Sequence, residues 1–416
     1  MQEETTHHHS DKFTPYQVLV IFLLAVTQFT VVLDFMVMSP LGDMLMKSMN
    51  LKTSQFGMAV SAYAFSAGIS GLLTAGFADK FDRKKLLLFF YIGFIIGTLC
   101  CGLAHNYLML IVARIITGLF GGVIGSISMA IVADLFPIQK RGRVMGFMQM
   151  GFGASQVLGI PISLYLANAW GWQSPFLMIV ILATIVWILV VVKLKPVTKH
   201  LSEKTEQNAV MHLFNTISQR HYRIGFLSTA ILSIGGFMMM PWSSAFSINN
   251  LHITQHQLPI VFMVSGVSSL LIMPIMGRLS DTIDKFKIFL FASIMMIVMV
   301  LIYTNLTPVP FAVILLLNIL FMISMMSRMV PAMALTSGLP KMQDRGAFMS
   351  INASLQQMAG GVAAIVGGMI VVQKDKYSAL ENYNILGYII SILSLISILM
   401  VYRVSKMVKQ RKAMGL

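Results

Sequence analysis

Residues 75–85 read AGFADKFDRKK, and residues 277–287 read GRLSDTIDKFK. Each stretch follows a long apolar run, and each spaces a small residue, two aspartates and a basic residue in the same way. Asp281 lies 202 residues after Asp79, and a second pair of similar segments, around Arg141 and Arg345, recurs at an offset of 204. Two repeats at nearly the same offset indicate a chain built from two copies of one unit.

The composition is typical of a membrane protein. Hydrophobic residues make up 57% of the chain, charged residues only 11%, and the mean hydropathy is +0.80, whereas soluble domains carry about 25% charged residues. One spanning helix needs about 20 mostly apolar residues. Such runs predict an all-α membrane protein with twelve transmembrane helices, at residues 15–46, 54–79, 85–104, 106–135, 142–168, 172–194, 223–249, 257–280, 287–304, 310–337, 346–372 and 383–405.

The repeat and the polar segments divide the chain into two similar halves of six helices each. Parallel repeats of this kind are related by an axis along the membrane normal, which places a substrate cavity between them near the midplane. The linker has mixed charge, so it is expected to be solvated or to form a surface helix. The predicted units are a cytoplasmic tail at 1–14, the first half at 15–194, a cytoplasmic linker at 195–222, the second half at 223–405 and a basic cytoplasmic tail at 406–416.

Basic residues are distributed unevenly between the two faces of this bundle. With a cytoplasmic amino terminus, Arg114 and Arg328 lie within spans, and 24 of the 30 basic residues lie on cytoplasmic segments. This follows the positive-inside bias and makes both termini cytoplasmic. The net charge of +15 therefore indicates topology and contact with anionic lipid headgroups, and no nucleic-acid partner is predicted. The remaining four basic residues face outward, namely Lys47, Lys52, Lys374 and Lys376.

No metal centre, cofactor or catalytic site is predicted. Cys100 and Cys101 are adjacent within one apolar span, which supports neither a disulfide framework nor a zinc site. The sequence has no Walker-type nucleotide-binding loop and no recognisable nucleophile with a base. An enzyme is therefore not expected, and the energy for transport would come from a proton gradient.

Asp34 is the acid that lies deep within a predicted span, and Arg114 lies at a comparable depth in span four. A charge inside the bilayer is costly unless it faces a cavity or a partner, so such residues are functional candidates. Asp34 is predicted to load and release a proton while Arg114 tunes its affinity through the opposite charge. The alternatives are a permanent ion pair that joins spans one and four, or no contact between the two.

Further polar residues within spans are candidates for binding a small-molecule substrate. Arg328 lacks an acid at similar depth, so it could snorkel, bond backbone carbonyls or hold an anionic group of the substrate. The other candidates are amides and aromatic residues, which also commonly join helices. They are Gln28, Tyr63, Trp242, Asn318, Asn352, Gln356 and Gln357.

The repeated loop resembles the signature loop of the major facilitator superfamily. Its residues Asp79, Asp82, Arg83 and Lys84 carry the resemblance, with Asp281 as the reduced copy. Arg114 to Gly118 resembles the second motif of that family, and Gly159-Ile160-Pro161 resembles its antiporter motif in span five, where a helix bend is expected. The resemblance extends over residues 15–405 and is nearest to the proton-coupled drug and metabolite exporters with twelve spans. It implies a monomer in the inner (cytoplasmic) membrane of a bacterium.

Charged residues at the cytoplasmic ends of the spans are predicted to form a conformational latch. Asp79 can accept hydrogen bonds from a helix amino terminus or pair with Arg141 or Arg143, and charge-assisted bonds are stronger than neutral ones. Closing the cytoplasmic side of the bundle in this way would favour the outward-open state. The alternative is that these charges only set topology. The predicted latch comprises Asp79, Asp82, Arg83, Lys84, Asp134, Arg141, Arg143, Asp281 and Arg345.

The predicted function is proton-coupled export of amphipathic drugs or small metabolites by alternating access between the two halves. Transport of an anionic metabolite or a lysolipid-like substrate, held by Arg114 and Arg328, is the first alternative. A membrane receptor or scaffold on the same fold is the second, because fold alone does not determine function.

Overall fold

The computed structural model describes residues 13–74, 80–198, 201 and 209–413. Twelve helices within these ranges are long and apolar enough to cross a membrane, which confirms the predicted number. The α-helices are α1 (Pro15–Val37), α2 (Gly42–Met49), α3 (Thr53–Thr74), α4 (Arg83–Gly102), α5 (Tyr107–Leu135), α6 (Ile138–Ala154), α7 (Ile160–Trp170), α8 (Ser174–Lys193), α9 (Ala209–Ser218), α10 (Arg220–Phe237), α11 (Ser243–Asn249), α12 (Leu258–Thr282), α13 (Lys285–Thr304), α14 (Phe311–Thr336), α15 (Arg345–Ile370) and α16 (Tyr383–Ala413).

The spans form two six-helix halves, as the duplicated motif predicts. In the first half α5 packs against α3 and α4, and in the second half α14 packs against α12 and α13. We call the membrane face where α1 begins and α16 ends the terminal face, and the opposite one the distal face. The chain is thus an all-α membrane protein with two pseudo-symmetric halves.

The two halves meet most closely where α3 runs along α15. Glycines permit this contact: a Cβ added to Gly57 would lie 2.5 Å from the carbonyl oxygen of Ala364, and one added to Gly68 would lie 2.9 Å from that of Ser354. Small residues let helix backbones approach each other in a bilayer, where close packing drives association. Larger side chains at these positions would separate the halves.

Some helix ends differ from the sequence prediction. The first predicted span, 15–46, is not one helix, because α1 ends at Val37 and a turn leads into α2. The turn contains Pro40, which has no backbone N–H. The predicted span ran through this turn because proline and glycine are tolerated within membrane helices. The short helix α9 lies within the predicted linker, α10 begins at Arg220, and α16 continues beyond residue 405 to Ala413.

Span five is interrupted by a π-helical turn, Ser155–Gly159, between α6 and α7. Pro161 follows within the first turn of α7 and cannot donate the backbone hydrogen bond that a regular helix would need there. A Cβ at Gly159 would lie 2.6 Å from Leu33 Cδ1, so α1 packs directly on this turn. The structure therefore places a helix irregularity at Gly159 and Pro161.

Candidate functional site

Asp34 on α1 and Arg114 on α5 form a fully buried ion pair. Arg114 Nη1 donates to Asp34 Oδ2 at 2.9 Å, and both side chains are 0% exposed. Thr98 on α4 donates its hydroxyl to Asp34 Oδ1 at 3.1 Å. Three helices of the first half therefore converge on one carboxylate, about 5 Å from the distal end of α1 at a rise of 1.5 Å per residue.

Small residues on α4 and α5 explain how Arg114 comes so close to its partners. A Cβ at Gly118 would lie 2.5 Å from the carbonyl oxygen of Tyr63, and one at Gly97 would lie 2.7 Å from the backbone nitrogen of Thr117. The resulting approach of α5 to α3 places the Arg114 guanidinium 4.5 Å from the centre of the Tyr63 ring. Arg114 Nε and Nη2 have no hydrogen-bond partner in the described structure.

A cavity of about 200 Å³ lies between the two halves. Its wall is mainly methionine and aromatic side chains, with amides and serine hydroxyls between them. None of the described residues that line it is charged. Residues of the first half that line it include Phe35, Phe152 and Gln156, and those of the second half include Phe237, Tyr303, Asn318, Phe321, Met325, Met329 and Tyr383.

Two aromatic rings separate the ion pair from this central cavity. The Phe35 ring lines the cavity, and its centre lies 5.3 Å from that of Tyr63, whose other neighbour is Arg114. Phe35 also contacts Phe237 of the second half, with ring centres 6.3 Å apart. Movement of Phe35 would therefore change its contact with Tyr63, which packs on Arg114, and its contact with Phe237 across the interface between the halves.

The predicted substrate residues divide among several places. Asn318 lines the central cavity and lies 3.5 Å from the hydroxyls of Tyr303 and Ser265. Trp242 does not line this cavity: it is fully buried on Phe56, with ring centres 5.6 Å apart. The remaining amides lie in three different places, none of which is the central cavity. Gln28 faces Gly125 on α5, Gln357 lines a small separate pocket beside Phe35, and Asn352 and Gln356 line another pocket.

Arg328 lies inside the second half and is only 3% exposed. Its Nη1 donates to Ser394 Oγ at 3.2 Å and its Nη2 to Ser397 Oγ at 3.1 Å, both on α16. The Nε atom has no partner in the described structure. Arg328 thus joins α14 to α16 and does not line the central cavity.

The first copy of the loop motif organises the terminal face of the first half. Asp82 caps α4 by accepting from the backbone of Lys84 at 2.9 Å, and it also accepts from that of Val197 at 3.0 Å. Arg83 Nε lies 3.4 Å from Asp134 Oδ2, and Lys84 Nζ donates to the carbonyl oxygen of Val191 at 2.8 Å. Asp79 lies outside the described residues.

The other basic members of the predicted latch in this half act on nearby elements. Arg141 donates to the carbonyl oxygens of Phe136 and Ala133, at 2.9 and 2.6 Å, and so satisfies acceptors at the end of α5. The guanidinium of Arg143 lies 5.1 Å from the Phe13 ring. Both arginines therefore connect elements of the same half.

In the second half, two aspartates outside the predicted latch, Asp284 and Asp344, form hydrogen bonds at the terminal face. Asp284 caps α13 and accepts from Lys409 Nζ at 2.5 Å, and this hydrogen bond holds the pKa of the Asp284 carboxyl below its usual range. Asp344 is buried and accepts from the Tyr222 hydroxyl at 2.8 Å. The predicted members Asp281 and Arg345 are exposed.

A polar cluster at the distal face, which we call the distal lock, joins the two halves through Asp43, Lys47, Ser244 and Asn249. Asp43 is 1% exposed and accepts from Asn249 Nδ2 at 2.6 Å and from Lys47 Nζ at 2.8 Å. Lys47 also donates to Asn249 Oδ1 at 3.1 Å, and Ser244 Oγ lies 3.3 Å from the Asp43 backbone nitrogen. None of these four residues belongs to the predicted site, although Asp43 and Lys47 lie four residues apart at the end of an apolar run, a spacing that indicates an ion pair on a helix.

Comparisons with known proteins agree with this architecture. The sequence profile of the Major Facilitator Superfamily matches residues 24–327 and 225–414. The chain is 24% identical over 377 residues to "Uncharacterized MFS-type transporter YbcL" of Bacillus subtilis (strain 168), covering 90% of this chain and 94% of that protein. It is 29% identical over 178 residues to "Multidrug resistance protein 3" of the same organism, covering 42% of this chain and 33% of that protein.

The fold is also found among solved structures. A bacterial homolog of the human lysosomal transporter Spinster, in an inward-facing and unoccupied conformation, superposes with a TM-score of 0.77. The match covers 96% of this chain and 99% of that one at 13% sequence identity, a likeness that concerns the fold alone.

Proposed function

Because the chain belongs to the major facilitator superfamily and is therefore a secondary transporter of small molecules, we propose that it exports amphipathic drugs or small metabolites in exchange for protons. The observation that carries this proposal is the buried Asp34–Arg114 ion pair beside an apolar cavity. The partial match to a multidrug resistance protein is consistent with it.

The ion pair can couple proton binding to a change of state. A proton on Asp34 removes the negative charge and leaves Arg114 as a buried cation without a counter-charge, which is unfavourable in a low-dielectric interior. The helices α1 and α5, which carry Asp34 and Arg114, then favour a different position relative to each other. Since Phe35 contacts both the cavity and Tyr63, a substrate that moves Phe35 acts on the same helices.

Export by alternating access requires that each face opens in turn. In this structure, the distal lock and the bond from Thr53 Oγ1 to the carbonyl oxygen of Val371, at 2.6 Å, join the halves at the distal face. The charges of Asp82, Arg83 and Asp134 at the terminal face are proposed to stabilise the opposite state together with Asp79. The π turn at Gly159 and Pro161 is proposed as the bend that lets span five follow these changes.

The geometry favours this function over transport of anions. The anionic alternative relied on Arg114 and Arg328, but Arg114 pairs with Asp34 behind Tyr63, and Arg328 is held by hydroxyls of α16. Neither guanidinium lines the central cavity. An organic anion would therefore enter that cavity without a compensating charge.

The proposed setting is the cytoplasmic membrane of a bacterium, with a monomer whose two termini are cytoplasmic. The basic residues at the terminal face support this orientation through the positive-inside bias. The terminal face would then be the cytoplasmic face, and the distal lock would close the outside.

Proton movement in proteoliposomes tests the function directly. With an internal pH dye, a lipophilic cation, a neutral amphipath and an organic anion are added in turn to the wild type and to Asp34→Asn. We expect the cation or the neutral compound to drive proton movement in the wild type, and the variant to lose this response because its amide cannot exchange a proton. A response to anions alone, or an undiminished response in the variant, would refute the proposal.

Asp375→Asn is the matched control, since Asp375 is an exposed acid in the distal loop between α15 and α16. The same change of carboxylate to amide at this site is expected to leave proton movement unchanged. Size-exclusion chromatography of both variants verifies that they are folded.

A further inference from the structure

A second pocket adjoins the central cavity on the side of the second half. It has a volume of about 50 Å³ and lies between α10, α14 and α15. Met329 lines both spaces, so its side chain forms a shared wall. Because methionine is flexible, rotation of this side chain would open a path for one ligand from the cavity into the pocket. The two walls differ sharply in chemistry: the cavity is dominated by methionine and aromatic side chains, whereas the pocket is rich in hydroxyls and amides.

The polar groups of this pocket come from all three of its helices. Ser228 and Ser233 on α10, Thr336 on α14, and Asn352 and Gln356 on α15 line it. Asn352 Oδ1 is buried and has no hydrogen-bond partner in the described structure. A buried polar atom without a partner is costly, and a hydrogen-bonding group of a bound molecule would satisfy it.

Charge is absent from the described residues that line either space. The ionised pair nearest to the cavity, Asp34 and Arg114, has 0% exposed side chains and lies behind Tyr63 and Phe35. A charged substrate would lose its hydration here without gaining a counter-charge, which is strongly unfavourable. A neutral molecule with hydroxyl or amide groups would exchange water for the hydrogen bonds of the pocket at little cost.

We infer that the substrate is a neutral amphipath whose apolar, aromatic body occupies the central cavity and whose hydroxyl-bearing head binds in the pocket at Asn352. The inference rests on the proposed function and specifies its substrate class. In this scheme the substrate carries no charge. The only charge involved in transport is then the proton that binds to Asp34.

Three nitrophenyl probes of nearly the same size test this inference. The first is the N-acetyl derivative of 2-amino-1-(4-nitrophenyl)propane-1,3-diol, which is neutral and carries both hydroxyls. The second is the parent amine, which is cationic at pH 7, and the third is the N-acetyl compound without hydroxyls. Binding to the protein in lipid nanodiscs is measured by calorimetry for the wild type, Asn352→Leu and Asn305→Leu.

We expect the neutral diol to bind the wild type about tenfold more tightly than the compound without hydroxyls, since one or two net hydrogen bonds are at stake. It should also bind more tightly than the amine, because the charge of the amine would lose its hydration without gaining a partner. Asn352→Leu is expected to remove the advantage of the diol over the compound without hydroxyls while the latter still binds, which also shows that the variant is folded. Asn305→Leu is the matched control, because Asn305 is exposed at the end of α13 outside both spaces.

Equal or tighter binding of the cationic amine would overturn the inference, as would a diol advantage that survives in Asn352→Leu. Failure of all three probes to bind would overturn it as well. In each of these cases, proton movement that depends on Asp34 with any other substrate would leave the proposed function intact, so the two failures are distinguishable.

Discussion

At the scale of single residues, the buried charges behave in two different ways. Arg114 has a carboxylate within 2.9 Å, whereas Arg328 is held by two hydroxyls. The sequence already separates the two arginines, because Arg114 lies at the depth of an acid in its own half and Arg328 does not. Depth along a helix does not reveal the two serine partners of Arg328, which depend on the direction of its side chain.

Arg114→Met is expected to destabilise the protein by about 3–5 kcal/mol, because it leaves the Asp34 carboxylate buried without its partner. Adding Asp34→Asn to this variant should recover most of the loss, since no charge then remains in the site. Thermal unfolding in detergent of the wild type, both single variants and the double variant measures the coupling. Additive effects of the two changes would show that the ion pair contributes little.

The sequence predicts contacts between rare residue types better than contacts between distant ones. Asp34 and Arg114 could be expected to pair because charges are uncommon in spans, and they do lie 2.9 Å apart, while their role in coupling stays a prediction. The contact of Asp43 could not be expected, since it depends on Asn249, which is 206 residues away. The pocket at Asn352 depends on three helices meeting, which apolar periodicity does not specify.

At the scale of elements, long apolar runs determine the number of spans, while local backbone chemistry determines their shape. The twelve spans were predictable because each run is long enough to cross the bilayer. The break between α1 and α2 was not, because Pro and Gly are tolerated within membrane helices. In span five, an irregularity at Gly159 and Pro161 was expected, but its π-helical form was not.

Pro161 lies inside span five, because the π turn continues directly into α7. Pro161→Ala is therefore expected to stabilise the protein by up to about 3 kcal/mol, the usual cost of proline inside a helix, by restoring a backbone donor. It should also slow turnover several-fold, since a regular span five would bend less readily. Thermal unfolding and the initial rate of substrate-driven proton movement are the two measurements. Unchanged turnover together with raised stability would limit the role of this turn to packing. Pro175→Ala, in the first turn of α8 where proline is tolerated, serves as the control.

At the scale of the whole molecule, the two halves are joined by packing along α3 and α15 and by polar bonds at the distal face. The distal lock places a buried carboxylate between the halves, so its bonds exist only while that face is closed. It is therefore an element whose loss shifts the balance between the two states of the transporter.

Asp43→Asn is expected to increase the fraction of molecules that are open at the distal face. Weakening the lock by about 1.4 kcal/mol would change the ratio of the two states tenfold. Spin labels at Lys52→Cys and Lys376→Cys, both exposed and on different halves, report the separation of the halves in a background without native cysteines. Asp375→Asn is the control, and an unchanged distance distribution in Asp43→Asn would exclude the lock as a gate.

The uncharged lining of the central cavity also has an electrical consequence. If the substrate is neutral and is exchanged for protons as proposed, the proton on Asp34 is the only net charge that crosses in each cycle. Every turnover would then carry current, and the membrane voltage would add about 2.3 kcal/mol per 100 mV to the driving force for each proton. A potential imposed without any pH difference should be sufficient to power export.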